Sequence, residues 1–213
     1  MCNVSLKKTL VSTLNYVELV IAWSLAVGFG LTVAVNMGGP AFLNPGVVLG
    51  KLILGAITIQ EAGLFILMEF LAAGVAVIVT DIFFFDSFKE TEEGQFRGIY
   101  AAYPVKKNMV LNFVQELLAT FVFLFILFEA IKVATDPIMI GIAGFGAVAI
   151  LALTLNSTGF SMNAMRSVFS SIWYALIPIP NKKDKVDWGY QLVVNFVGSS
   201  IGGILAVVAT SLL

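Results

Sequence analysis

Arg166 sits in a polar patch, Thr158-Gly159-Phe160-Ser161-Met162-Asn163-Ala164-Met165-Arg166, between two segments apolar enough to lie inside a bilayer. An unpaired arginine at membrane depth costs several kcal/mol, so the fold must turn it toward a partner or a water-filled path. The same device occurs upstream. Phe42-Leu43-Asn44-Pro45-Gly46-Val47 again places an asparagine at the opening of a short apolar helix, after the glycine-rich approach Gly38-Gly39-Pro40. Two such openings in one chain point to an internal repeat.

The surroundings fix the solvent. The chain is 59% hydrophobic and only 12% charged, with its charges gathered between long apolar runs, which makes it an all-α integral membrane protein whose partner is the lipid bilayer. A net charge of −1 and the lack of a basic tract argue against nucleic acid. Cys2 is the only cysteine, so no intramolecular disulfide can form. With no histidine, the chain lacks the usual general base and the commonest metal ligand. Neither an enzyme nor a metal or cofactor is expected, and Ser161 has no histidine to activate it as a nucleophile.

In chain order, the apolar run from Val17 to Met37 is close to the ~20 residues that a spanning helix needs. After Gly38-Gly39-Pro40, Asn44 is suited to an N-cap and Pro45 to the first helical position. That helix runs only to about Leu54, so at 1.5 Å per residue it covers roughly half of the ~30 Å hydrocarbon core. A second span covers Ala62 to Phe85 and carries Glu69, which has no evident partner. The polar connection from Asp86 to Lys107 has four acids and four bases and reads as a solvated loop. Spans follow over Leu111–Ile131, which carries Glu116, and over Ile138–Leu155. The Asn163 patch then opens a second short helix ending near Leu176. Lys182 to Asp187 is a charged turn, and Leu192–Leu213 is the fifth span, where Gly198, Gly202 and Gly203 allow close helix packing.

If the two half-helices dip from opposite faces, their N-termini meet near the midplane, each with roughly half a positive charge from its dipole. Cations are thereby disfavoured. Asn44 and Asn163 then offer side-chain N–H donors to the oxygen of a neutral molecule, and carbonyls of the non-helical approaches line one wall. Arg166 adds charge and donors at a constriction. Glu116 reads as a buried structural acid bonded to loop backbone.

These residues resemble the major intrinsic protein family, the aquaporins and glycerol facilitators, over nearly the whole chain. Leu43-Asn44-Pro45-Gly46-Val47 is similar to the family's first Asn-Pro-Ala box. Gly159 to Arg166 is similar to the second with its trailing arginine. Both boxes are altered: Gly46 stands for the first alanine, and Ala164 and Met165 stand for the second proline and alanine. Ile99-Tyr100-Ala101-Ala102-Tyr103-Pro104, Glu116-Leu117-Leu118-Ala119-Thr120 and Ile177-Pro178-Ile179-Pro180-Asn181-Lys182 resemble the glycerol uptake facilitators of Gram-positive bacteria. The resemblance implies an aromatic/arginine filter of Trp23, Phe160 and Arg166. It also implies a filter position at Leu151, larger than the glycine of glycerol facilitators.

The fold so implied is an aquaporin-like inverted repeat with five spanning helices and two half-helices, the family's first spanning helix lacking a counterpart. It forms one domain over residues 1–213, with a first repeat at 1–85, a connecting loop at 86–107 and a second repeat at 108–213. An upstream start that adds the further helix is expected. The implied function is a passive channel for glycerol, small polyols or water in the cell membrane, as a homotetramer. The resemblance places residue 1 outside and the C-terminus in the cytoplasm. A water-dominant pore and a non-conducting truncated relative stay open beside it.

Overall fold

The computed structural model describes residues 5–7, 9, 15–91 and 96–213. The Met1–Val4 stretch, Lys8 and residues 92–95 of the polar connection therefore lie outside the described residues. Among the described residues, five helices are long and apolar enough to cross a membrane: α1 (Tyr16–Asn36), α3 (Ile59–Phe83), α6 (Met109–Lys132), α7 (Pro137–Thr154) and the rod Trp188–Leu212. Between α1 and α3 lies the short α2 (Pro45–Ile53). Between α7 and the last rod lies α8 (Ser170–Leu176), entered through the π-helical turn Met165–Phe169. The sequence Span, half-helix, span thus occurs twice.

The helix starts follow from local chemistry. Asn15 and Thr58 accept from the amides of Glu18 and Glu61, whose carboxylates return bonds to the cap amides, so α1 and α3 both open with a capping box. Asp136 caps α7 ahead of Pro137, and the Asn108 side chain accepts from Leu111 N at the start of α6. Outward residues such as Phe29, Ile82 and Phe83 are two-thirds or more exposed, as a lipid-facing surface requires.

Two differences from the expected elements have physical causes. The connection read as a solvated loop contains α4 (Phe85–Glu90) and α5 (Arg97–Tyr100). The Asp184 carboxylate accepts from Phe96 N at 3.0 Å, Arg97 N at 2.8 Å and the Tyr174 hydroxyl at 2.6 Å, tying that connection to α8. The last rod begins at Trp188, where the Asp187 side chain accepts from Tyr190 N; it runs through α9 (Trp188–Tyr190) and a π-helical stretch, Gln191–Gly198, into α10 (Ser199–Leu212).

Glycines set the helix spacing. Gly28 of α1 and Gly141 of α7 face each other so closely that a Cβ on Gly28 would stand 2.7 Å from the Gly141 carbonyl. Gly203 of α10 lies against Gly46 at the start of α2, where a Cβ on Gly46 would be 3.1 Å from the Gly203 Cα. A glycine at the first box's alanine position therefore fits a close crossing, where a methyl group would need its neighbours to give by a few tenths of an ångström.

Candidate functional site

The two asparagine turns meet and brace one another. The Asn44 Nδ2 donates to the Met162 carbonyl at 2.9 Å, and the Asn163 Nδ2 donates to the Leu43 carbonyl at 2.6 Å. Each asparagine also caps its own half-helix, the Asn44 Oδ1 accepting from Gly46 N at 3.0 Å and the Asn163 Oδ1 from Met165 N at 2.9 Å. This reciprocity is the signature of two half-helices approaching N-terminus to N-terminus. Each amide group donates one hydrogen to the opposite turn and has a second that these bonds do not use.

The approaches to the two turns match residue for residue. Ala41 and Leu43 have positive φ, as do Phe160 and Met162, each pair lying three and one residues before its asparagine. Such left-handed backbone is strained for residues with a side chain. At the second turn Glu116 holds it in place. Its carboxylate accepts from Ser161 N at 3.0 Å, Met162 N at 2.9 Å and the Thr158 hydroxyl, and it is fully buried. Gly159 enters this turn at φ 83°, and a Cβ there would stand 2.5 Å from the Tyr103 carbonyl, so glycine is required by both angle and space.

A cavity of about 610 Å³ runs beside both turns, with Asn44, Lys51, Ser161, Asn163 and Arg166 as polar groups on an otherwise apolar wall that includes Trp23 and Phe160. A second cavity of about 260 Å³ has Thr80, Tyr100 and Ser170 in its lining. Trp23 and Arg166 line both, so the two spaces meet at that pair. The Arg166 guanidinium lies 5.6 Å from the centre of the Trp23 ring and donates through Nη1 to the Phe160 carbonyl at 2.8 Å. Trp23 and Arg166 thus face one another where the two cavities meet, the Phe160 carbonyl accepts from the guanidinium, and the guanidinium keeps further donors.

Leu151 does not join them. It is buried in the core with Val20, Leu31 and Ala147, and α7 contributes Ile140 and Val148 to the cavity wall instead. Counting back twelve residues from Asn163 therefore reaches a core position, because helical phase and not distance along the chain decides which side chain faces the cavity.

Sequence reasoning missed the polar frame behind the half-helix. The Ser161 hydroxyl donates to the Ser167 hydroxyl at 2.7 Å, and the Trp173 indole donates to the Phe70 carbonyl at 2.9 Å. Lys182 closes the end of α8, its ammonium donating to the Tyr174 and Ile177 carbonyls at 2.7 Å each. Burial pulls the Lys182 pKa down, while Asp81 and Asp184 act the other way. The one available signal was Lys182 two residues after Pro180, at a helix end.

The asparagine cap and the missing proline can be separated. Ala164 already has φ −60° and ψ −35°, which proline can adopt, so Ala164→Pro should change stability by about 1 kcal/mol or less. Asn163→Ala removes both the cap and the bond to Leu43, and should cost about 1–2 kcal/mol and lower flux. Thermal unfolding in detergent reads the first effect and liposome flux the second; unchanged flux in Asn163→Ala would remove that residue from the path.

Comparisons with known proteins agree with this geometry. The sequence profile of the Major intrinsic protein family matches residues 1–209. Glycerol uptake facilitator protein 2 of Lactiplantibacillus plantarum is 33% identical over 198 residues, covering 90% of this chain and 82% of that one. The glycerol uptake facilitator protein of Streptococcus pneumoniae is 30% identical over 213 residues, covering 99% and 89%. The X-ray structure of the aquaglyceroporin from Plasmodium falciparum shares the fold with a TM-score of 0.79 at 17% identity, covering 99% of this chain and 90% of that one. On its residues, its half-helix geometry and these similarities, the chain belongs to the major intrinsic protein family.

Proposed function

We propose that this chain is a passive channel that carries glycerol and other small neutral solutes, with water, down their gradients across the cell membrane. The observation that carries this reading is the meeting of two half-helix N-termini on one cavity that adjoins a second at Trp23 and Arg166. A polyol's carbons would lie against Trp23 and Phe160 while its hydroxyls accept from Arg166, Asn44 and Asn163. The positive ends of α2 and α8 and the guanidinium oppose a cation at the same place. No bond is made or broken, so no cofactor is needed. The glycerol uptake facilitators among the relatives support the solute class.

The reading extends to a homotetramer in the plasma membrane, with residue 1 outside and the C-terminus in the cytoplasm. The whole chain acts as one domain of two repeats, 1–85 and 108–213, joined by residues 86–107. Stopped-flow light scattering on proteoliposomes tests the function: glycerol should enter faster than into protein-free vesicles. Glycerol entry at the control rate with raised water flux would identify a water-dominant pore, and control rates for both would identify a non-conducting relative.

A further inference from the structure

Tyr16 and Trp23 lie nearly two full turns apart on α1, so their side chains share a face. The two rings meet edge to face, with centroids 6.4 Å apart and planes at 85°. The Tyr16 hydroxyl reaches across to α7 and donates to the Ala152 carbonyl at 2.6 Å. Ala152 is buried in the last turn of α7, where carbonyls have no partner within their own helix, so this bond satisfies a group that the fold would otherwise orphan.

Asn156, just past the end of α7, carries the connection onward. Its Oδ1 accepts from Gly159 N at 3.1 Å, and its Nδ2 donates to the Tyr16 oxygen at 2.6 Å. The directions are mutually consistent. A backbone N–H only donates, so the amide oxygen faces Gly159, and the Tyr16 hydroxyl, having given its hydrogen to Ala152, has only lone pairs left for the Asn156 amide. Gly159 opens the second asparagine turn at φ 83°, and the carbonyl of the next residue, Phe160, accepts from Arg166 at 2.8 Å. The guanidinium in turn faces the Trp23 ring at 5.6 Å. The contacts thus close on themselves, from Trp23 through Tyr16, Asn156, the Gly159–Phe160 backbone and Arg166 back to Trp23, and the closing pair stands where the two cavities meet.

We infer that Tyr16 and Asn156 are positioning residues that fix the separation of the Trp23 ring from the Arg166 guanidinium, and thereby set the largest polyol that passes between them. Neither side chain belongs to the wall of the two cavities, so each acts through the group that it holds. Trp23 and Arg166 sit on different elements, α1 and the π-helical turn, and the attraction between a guanidinium and an aromatic face is too weak to hold those elements at one spacing. Hydrogen bonds are directional and short-ranged, and the three made by Tyr16 and Asn156 tie the start of α1, the end of α7 and the entry to the turn together.

The inference rests on the channel reading for its flux arm, so the test has a second arm. Tyr16→Phe keeps the ring against Trp23 and removes the hydroxyl, while Asn156→Ala leaves Tyr16 in place and removes the bridge to Gly159. In proteoliposomes, the entry rate of erythritol, one carbon longer than glycerol, divided by that of glycerol should rise roughly fivefold in each variant, on the scale of one lost hydrogen bond. The double variant should go no further, because both changes break the same closed set of contacts. A role in stability alone would lower both rates together and leave their ratio unmoved. Fluorine NMR of protein labelled with fluorotryptophan reads the spacing without any flux. Asn156→Ala does not touch Trp23, yet it should shift the Trp23 resonance and leave those of Trp173 and Trp188 in place. An unmoved Trp23 resonance in Asn156→Ala, or an unchanged solute ratio in Tyr16→Phe or Asn156→Ala liposomes that conduct glycerol, overturns the inference. A shifted Trp23 resonance in protein whose liposomes conduct nothing keeps the positioning role and overturns the channel reading instead.

Discussion

Replacing Glu116 by alanine should unfold the second asparagine turn and end transport. Three donors lose their acceptor at once, Ser161 N, Met162 N and the Thr158 hydroxyl, and the site is fully buried, so water cannot take its place. Each unsatisfied buried donor costs about 1–3 kcal/mol, so roughly 3–9 kcal/mol is at stake, against about 5–15 kcal/mol for a whole domain. Two of the freed residues flank or hold positive φ, so the strain that the bonds offset is released with them. Asn163 then leaves Leu43, which also loosens the first turn. Glu116→Gln should fall between, since its amide keeps one accepting oxygen but turns a donor toward an N–H. Thermal unfolding in detergent should rank the three proteins in that order, and glycerol flux should follow. A Glu116→Ala protein that melts and conducts like the natural one would show that the turn is held by something else.

The asparagine turns were legible because their chemistry is local. Asn44 before Pro45 and Asn163 before an apolar run are capping signals that read the same in a peptide as in the folded chain. The five spans were legible for a similar reason, since bilayer thickness fixes their length, and their ends fell within a few residues of those observed. Glu116 could be assigned to loop backbone because a membrane leaves a buried acid few other uses. What could not be read was lateral. The burial of Leu151 and the exposure of Val148 to the cavity depend on how α7 is rotated against α1, which Gly28, Gly141 and Gly144 decide together. The capture of residues 96 and 97 by Asp184 joins positions 87 and 88 apart in the chain, and no spacing rule connects them. The reciprocal bonds of Asn44 and Asn163 span 118 and 120 residues, so the donors were visible in the sequence while their acceptors were not.

The same lateral contacts govern the second large effect, expected for Gly202→Val. A Cβ on Gly202 would stand 2.3 Å from the Leu117 carbonyl oxygen, 2.9 Å from the Thr120 Cβ and 3.1 Å from Phe121 N. Two of these atoms are backbone of α6, so no rotamer change relieves the clash and α10 must move as a unit. Overpacking a core ordinarily costs about 1–3 kcal/mol, and a β-branched side chain against fixed backbone belongs at or above the upper end. The displacement does not stay local, because the next residue, Gly203, lies against Gly46 at the start of α2, and Glu116 on α6 holds the other turn. Both asparagine turns therefore shift when α6 and α10 separate. Gly63→Val provides the control, since a Cβ there meets nothing within 4 Å. Gly202→Val should elute as aggregate or melt far below the natural protein, and its liposomes should take up glycerol at the control rate, while Gly63→Val should match the natural protein in both. Equal behaviour of the two variants would mean that the approach of α10 to α6 does not limit the fold, and that the cavity is positioned from α1 and α7 alone.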